Sequence, residues 1–417
     1  MRRLAVPYGN TKEKIEVDEK YILDIIDPYR YHSGNAEKTL IDALRNPVEG
    51  KVLPDFIGSA QKLCIIVNDA ARPTRTDLVL SAVREFISGH DIHFIVATGA
   101  HRPPNKEELM AIFGQFYNEY KERIVTHDAR DESMLDHIGQ TRYGNDILLN
   151  RLVVRGDKVL IIGSIEPHYF AGYTGDRKAL LPGITGYRTI ENNHRLALHA
   201  YARPLQLNGN PIHEEMLDCA TALGRERIYS IQMILDRKRN IHRAYAGAII
   251  KTLETAADEA RCIFSAPISR KADIVVTVAQ LPFDINLYQT LKSIEHGRLA
   301  LNDGGILIFV SRCPEGLGPP SFARLFESED SIEAAAIKAK TEYRLGDHNA
   351  YNLMTLCEHG RIWGVTDIAD TTLRNAQIVG FGSLQAALDQ AIKEKGTEHS
   401  ILLLTNGSMT VPVCGRY

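Results

Sequence analysis

The chain has 417 residues, 44% of them apolar and 24% charged, with a formal net charge of -3. These are ordinary values for a soluble globular protein, and they argue against nucleic acid or an anionic membrane surface as a partner. At roughly 100–200 residues per folding unit, two domains are expected.

The first residues, Met1 to Tyr8, begin with two basic side chains but reach polar sequence by Asn10, without the apolar core of a secretory signal. No stretch is long and apolar enough to span a bilayer. The six cysteines are scattered with no Cys-x-x-Cys pair, as expected of thiols in a reducing compartment, so the cytoplasm is the expected address.

In chain order, Lys62 to Val67 is an apolar run of strand length, followed by the polar Asn-Asp-Ala-Ala-Arg-Pro-Thr and a helical pattern from Thr76 to Ser88. A second such unit runs from His93 to Ala97 through Thr-Gly-Ala-His-Arg-Pro-Pro. It leads into a helix that Asn105 can cap, with Glu108 at the capping-box position. A third strand, Lys158 to Gly163, leads directly into Glu166-Pro-His-Tyr-Phe-Ala-Gly-Tyr-Thr-Gly-Asp-Arg-Lys178. Alternation of this kind implies a parallel sheet with helices on its faces, and ligands in such sheets bind beyond the carboxyl ends of the strands. The three polar loops are therefore expected on one edge.

Asn210-Pro211 starts another helix, followed by a strand near Tyr229 to Leu235 and a helical stretch over 248–264. The strand-loop-helix rhythm resumes at Asp273 to Ala279 and continues through Gly305 to Val310 and Ala376 to Gly380. The fold expected is α/β, with two domains that each hold a mainly parallel sheet flanked by helices, and an active site in the cleft between them. The first domain is read as 1–265, completed by 397–417, and the smaller second as 266–385. Linker helices are expected near 248–264 and 384–395.

Within Gly172 to Gly183 the glycines, a hydroxyl, an arginine and a lysine share one loop, so a phosphate contact and an ordinary glycine-rich turn are both open. The Walker spacing is missing. Lys178 precedes Ala-Leu-Leu-Pro-Gly; a desolvated lysine there is a nucleophile, whereas a solvated one is only a cation. His101 and His168 stand apart among the fifteen histidines because both follow strands on the expected site edge. His194 offers an imidazole to a metal, although a single histidine makes an incomplete site. Arg72 has the fork that suits a carboxylate, and Lys292 lies at a helix start in the second domain; each taken alone also reads as a surface cation.

Taken together, Asp69-Ala-Ala-Arg72-Pro-Thr, Thr98-Gly-Ala-His101-Arg-Pro, Glu166-Pro-His168 through Arg177-Lys178, His194, and Tyr288-Gln289 with Lys292 resemble the lactate racemase family, in the same order over about residues 60 to 310. The resemblance implies nickel held in a nickel-pincer nucleotide attached to Lys178, with His194 as the protein's nickel ligand. It implies His101 and His168 as the paired acid and base, Asp69, Thr174, Gly175 and Arg177 as further cofactor contacts, and Arg72, Lys292, Tyr288 and Gln289 around the substrate. Asp176 departs from the pattern, standing where a second glycine is expected.

The activity implied is racemisation or C2-epimerisation of a 2-hydroxy carboxylic acid by hydride transfer through a 2-oxo acid. The partners implied are a small-molecule substrate and the proteins that make the cofactor. Two other readings remain open on the residues: a zinc hydrolase using His101, His168 and His194, and a non-catalytic binder of sugar acids or nucleotides.

Overall fold

The computed structural model describes residues 1–27, 33–72, 74–236, 238–328 and 331–415. The chain forms two compact units, Tyr31–Ile263 and a second made of Met1–Arg30 with Phe264–Tyr417.

The unit spanning 31–263 is built on a six-stranded sheet in the order 241–248, 228–235, 158–164, 62–68, 91–97, 124–126. Its neighbours run parallel except for the hairpin between Ile228–Leu235 and Ile241–Ala248. The central strands are apolar without interruption because both faces are covered. Leu63, Ile65, Val67, Phe94 and Val96 point into one core, while Cys64, Ile66, Ile95, Val159 and Ile161 point into the other, as the two-residue period of a strand requires. Helix Thr76–Ile87 covers the first face with Val79, Leu80, Val83 and Ile87, and helix Pro211–Leu223 covers the second with Ile212, Met216, Cys219, Ala220 and Leu223. Asn105 and Glu108 form the expected reciprocal capping box, and Asn210 caps the helix opened by Pro211.

The other unit holds a wholly parallel six-stranded sheet in the order 379–381, 361–365, 301–310, 272–278, 401–404, 22–26. Here the structure differs from the sequence-based boundaries. Ile401–Leu404 pairs with Ala272–Val278 on one side and Ile22–Ile26 on the other, so the closing segment and the N-terminal strand both belong with the later domain. Four consecutive buried apolar residues require cover on both faces, and in the slot between 272–278 and 22–26 Leu402 and Leu404 reach one core while Ile401 and Leu403 reach the other.

Helix Leu384–Lys395 is not a linker, because Leu384, Ala387, Leu388 and Ala391 pack on the same sheet. Helix Lys251–Phe264, in contrast, ends where one unit passes to the other. Three helices, Pro320–Ser328, Ile332–Thr341 and Asp347–His359, lie between strands 301–310 and 361–365. No helix among the described residues is long and apolar enough to cross a membrane.

Candidate active site

Strands Lys62–Asn68, Asp91–Ala97 and Lys158–Ser164 end side by side, so the loops that follow them leave the same edge of the sheet. After the first strand, Asp69 is buried, and the N–H of Arg72 donates to its carbonyl at 3.1 Å, closing a turn. After the second, Thr98 donates its hydroxyl to the carbonyl of His127, and the His101 N–H donates to Thr98. The two loops meet where Nδ1 of His101 lies 2.7 Å from Oδ2 of Asp69. Asp69, expected among the cofactor contacts, therefore holds an imidazole.

The third loop is an arch. Pro167–His168 pairs with Gly172–Tyr173 in a two-residue ladder, and Thr174 closes it by donating its hydroxyl to the Ser164 carbonyl at 2.8 Å. Gly172 has φ +76°, and a Cβ there would lie 2.3 Å from the Gln206 carbonyl oxygen, so only glycine fits. Among residues 170–181 every residue is buried except Lys178, which is partly open.

Arg177 is fully buried and points away from solvent. Its guanidinium donates to the carbonyls of Ala171 at 2.8 Å and Tyr173 at 2.9 Å, to those of Thr174 and Gly175 at 3.3 Å each, and to Nδ1 of His213 at 3.0 Å. Burial lowers its pKa to about 10, against the favourable field of Asp176. The same burial, with Arg177 and Arg142 beside it, holds His213 neutral with a pKa of about 2. Arg177 and Thr174, expected among the cofactor contacts, hydrogen-bond through their side chains to backbone carbonyls at and beside the loop, and Arg177 also to His213. Gly175 likewise is buried and spends its carbonyl on Lys178 N–H and Arg177.

The departure at Asp176 has a physical account. Its φ is +51°, a conformation that glycine adopts freely and that Asp and Asn tolerate better than other side chains. Its Oδ1 accepts from the N–H of Arg177 at 2.7 Å and of Ile250 at 3.2 Å, while burial raises the carboxyl pKa.

His168 is buried, and its Nδ1 accepts the Ala171 N–H at 3.3 Å. Phe170 lies edge-on to both His168 and His194, with ring centroids 4.4 Å and 5.2 Å away. His194 sits in helix Tyr187–Arg195, anchored through Asn193 to the buried carboxylate of Glu215 at 2.9 Å. Thr141 and Asn145 complete that carboxylate's partners at 2.7 and 3.2 Å. The Arg72 turn is tied to the arch by an ion pair of Nη1 with Glu166 Oε1 at 3.4 Å, and the Thr98 loop by Gly99 N–H to the Gly183 carbonyl at 2.9 Å. Sequence reasoning assigned Glu166 no role; the only signal was a carboxylate two residues past a strand end.

Tyr288, Gln289 and Lys292 belong to the other unit, on helix Leu287–Arg298, which Asn286 caps. The Tyr288 ring is edge-on to Phe322, with centroids 5.5 Å apart. Lys292 is buried, with Nζ 4.7 Å from the Phe283 ring centroid and 3.8 Å from the Met409 sulfur.

The lactate racemase N-terminal domain family matches residues 8–204, and the lactate racemase C-terminal domain family matches 268–412. A lactate racemase from Thermoanaerobacterium thermosaccharolyticum is 32% identical over 345 residues, 79% of each chain. One from Lactiplantibacillus plantarum is 26% identical over 422 aligned residues, covering 98% of this chain and 99% of its own. Among solved structures, the T. thermosaccharolyticum lactate racemase apoprotein superposes with a TM-score of 0.91 at 26% identity, over 99% of this chain and 100% of that one. A Thermotoga maritima protein shares the fold with a TM-score of 0.70 at 16% identity, over 92% and 100%.

Proposed function

This chain belongs to the lactate racemase family and is an enzyme of the isomerase class, and on that premise we propose that it inverts C2 of a 2-hydroxy carboxylic acid, lactate or a relative of it, using a nickel-pincer nucleotide carried on Lys178. The observation that carries the reading is the arch. In a segment otherwise buried, Lys178 alone is partly exposed, which is what a site of covalent attachment needs.

The donor set fits such a group. Among the described residues no three His, Cys, Asp or Glu side chains stand together as a metal site, so a bare zinc ion on His101, His168 and His194 finds no support. A nucleotide that brings its own three donors asks the protein for a single ligand, which His194 can supply. When bound, the nickel nucleotide supplies the hydride acceptor that a 2-hydroxy acid needs at C2.

The chain's own residues do the rest. With Nδ1 of His101 donating to Asp69, its Nε2 lone pair is the atom that takes the substrate's hydroxyl proton. His168 accepts at Nδ1, so its neutral form carries the proton on Nε2. Turnover then needs neutral His101 to take a proton while His168, as its imidazolium, gives one, with the two roles exchanged for the other enantiomer. Arg72 binds the substrate carboxylate. Lys292, Tyr288 and Gln289 are assigned to the substrate by the family resemblance, and the holo form depends on proteins that build the cofactor.

The test is the intact mass of protein purified from a host that makes the cofactor, measured beside the interconversion of D- and L-lactate. An added mass that maps to Lys178 and disappears in Lys178→Ala is expected. Activity in a preparation whose mass equals the bare chain rejects the reading.

A further inference from the structure

We propose that Glu166 restricts this site to 2-hydroxy acids with a single carboxylate, an inference that rests on Arg72 being the carboxylate-binding cation. The ion pair between them is not a loose surface contact. The two side chains are only 28% and 21% exposed, and the Glu166 backbone is fixed at both ends. Its N–H donates to the Thr174 hydroxyl at 2.9 Å, and its carbonyl accepts the Thr174 N–H at 2.8 Å. Ile165 and Pro167 on either side are buried, so the carboxylate stands on a rigid arm two residues before His168.

Glu166 meets Arg72 through one nitrogen at 3.4 Å, long for a charge-assisted bond. A guanidinium has five donors, so a substrate carboxylate can take the fork while Glu166 stays at its side and orients it. The remainder of the substrate then lies within a few ångströms of a fixed negative charge. A neutral substituent at C3 tolerates that neighbour, and a hydroxyl can donate to it. A second carboxylate meets like charge in a partly desolvated place and is rejected; discrimination of this kind comes from a repulsive element as much as from an attractive one. Asp69, held on the same turn as Arg72, adds to the negative field.

Equilibrium binding of lactate and of malate, measured by saturation-transfer NMR on wild type, Glu166→Gln and Glu166→Asp, tests this. Wild type is expected to bind lactate at least about tenfold more tightly than malate, and Glu166→Gln to close most of that gap by gaining malate affinity. Glu166→Asp keeps the charge and is expected to keep the preference, separating charge from loosened geometry. Malate binding to wild type as tightly as lactate, or a gap unchanged in Glu166→Gln, overturns the inference. Loss of the gap in both variants overturns it as well. Racemisation by the same preparations is read separately. If no acid is interconverted while the charge-dependent gap is present, the proposed reaction fails and the role of Glu166 stands; if lactate is interconverted and the gap is absent, the reverse holds.

Discussion

Nε of Arg177 donates to Nδ1 of His213 at 3.0 Å, and both side chains lie in the interior beneath the Lys178 arch. The imidazole must stay neutral to accept, and its pKa of about 2 reflects burial first and Arg177 second. In the unfolded chain the same group titrates near 6.5. Between those values the unfolded state binds a proton that the folded state refuses, so the contribution is complete above pH 6.5 and falls as the solution is acidified toward pH 2. His296 and His348 in the other domain act in the same direction, with pKa values of about 3. Each such histidine costs about 1.4 kcal/mol per pH unit in that window. Denaturant midpoints at pH 7.5 and 5.5 are expected to show the loss, and a His213→Gln variant a shallower slope. Equal slopes in variant and wild type contradict the assignment.

The short contact between Asp69 and His101 predicts a rate effect with little change in binding. Asp69→Asn preserves shape but replaces the carboxylate that holds the proton on Nδ1 with a neutral amide whose NH2 can donate to Nδ1 and favour the other tautomer. Turnover is expected to fall by about 10² or more while KM stays within a few-fold. A variant with wild-type turnover shows that the carboxylate is not needed to orient the base.

These two relationships were legible in the sequence to different degrees. The strands 62–68, 91–97 and 158–164 announce themselves as apolar runs followed by polar loops, and the parallel topology then places Asp69, His101 and Glu166 on one edge. Residue type does not say which way a side chain points. Arg177 and Thr174 look like phosphate contacts in one dimension, yet the arch needs their donors for its own carbonyls. The sheet that receives Ile401–Leu404 was not legible either, because four apolar residues in a row carry no period and fit a slot in either sheet. Asp176 required φ, which the sequence shows only as an unexpected residue in place of glycine.

If Arg72 binds the substrate carboxylate as proposed, Arg72→Ala removes the charge that the carboxylate meets. Loss of one charge-assisted pair costs roughly 1.5–3 kcal/mol, which is about a tenfold to hundredfold weakening of binding. Lys178 lies outside the turn that Arg72 closes with Asp69, so adduct mass and nickel content are expected to match wild type. A KM and turnover equal to wild type reject the role.

The three histidines divide most sharply, because each sits in a different local setting. His101 is held by a carboxylate at 2.7 Å, His168 accepts a backbone N–H at 3.3 Å within the arch, and His194 is carried by a helix with Phe170 edge-on to its ring. If the first two are base and acid, His101→Ala and His168→Ala keep both nickel and adduct while interconversion falls by about 10² to 10⁴. The loss applies to both directions, since each direction needs one imidazole to take a proton and the other to give one. His194→Ala is expected to do something else: the nucleotide stays on Lys178, because the covalent link does not involve the imidazole, and nickel is lost. Phe170→Ala supplies the control for packing, since that ring touches His168 and His194 together and its removal should disturb rate and nickel content at once. Nickel analysis, intact mass and racemisation rate on the four purified variants are the measurements. Full activity without His101 or His168, or nickel held as firmly by His194→Ala as by wild type, shows that the roles are assigned wrongly.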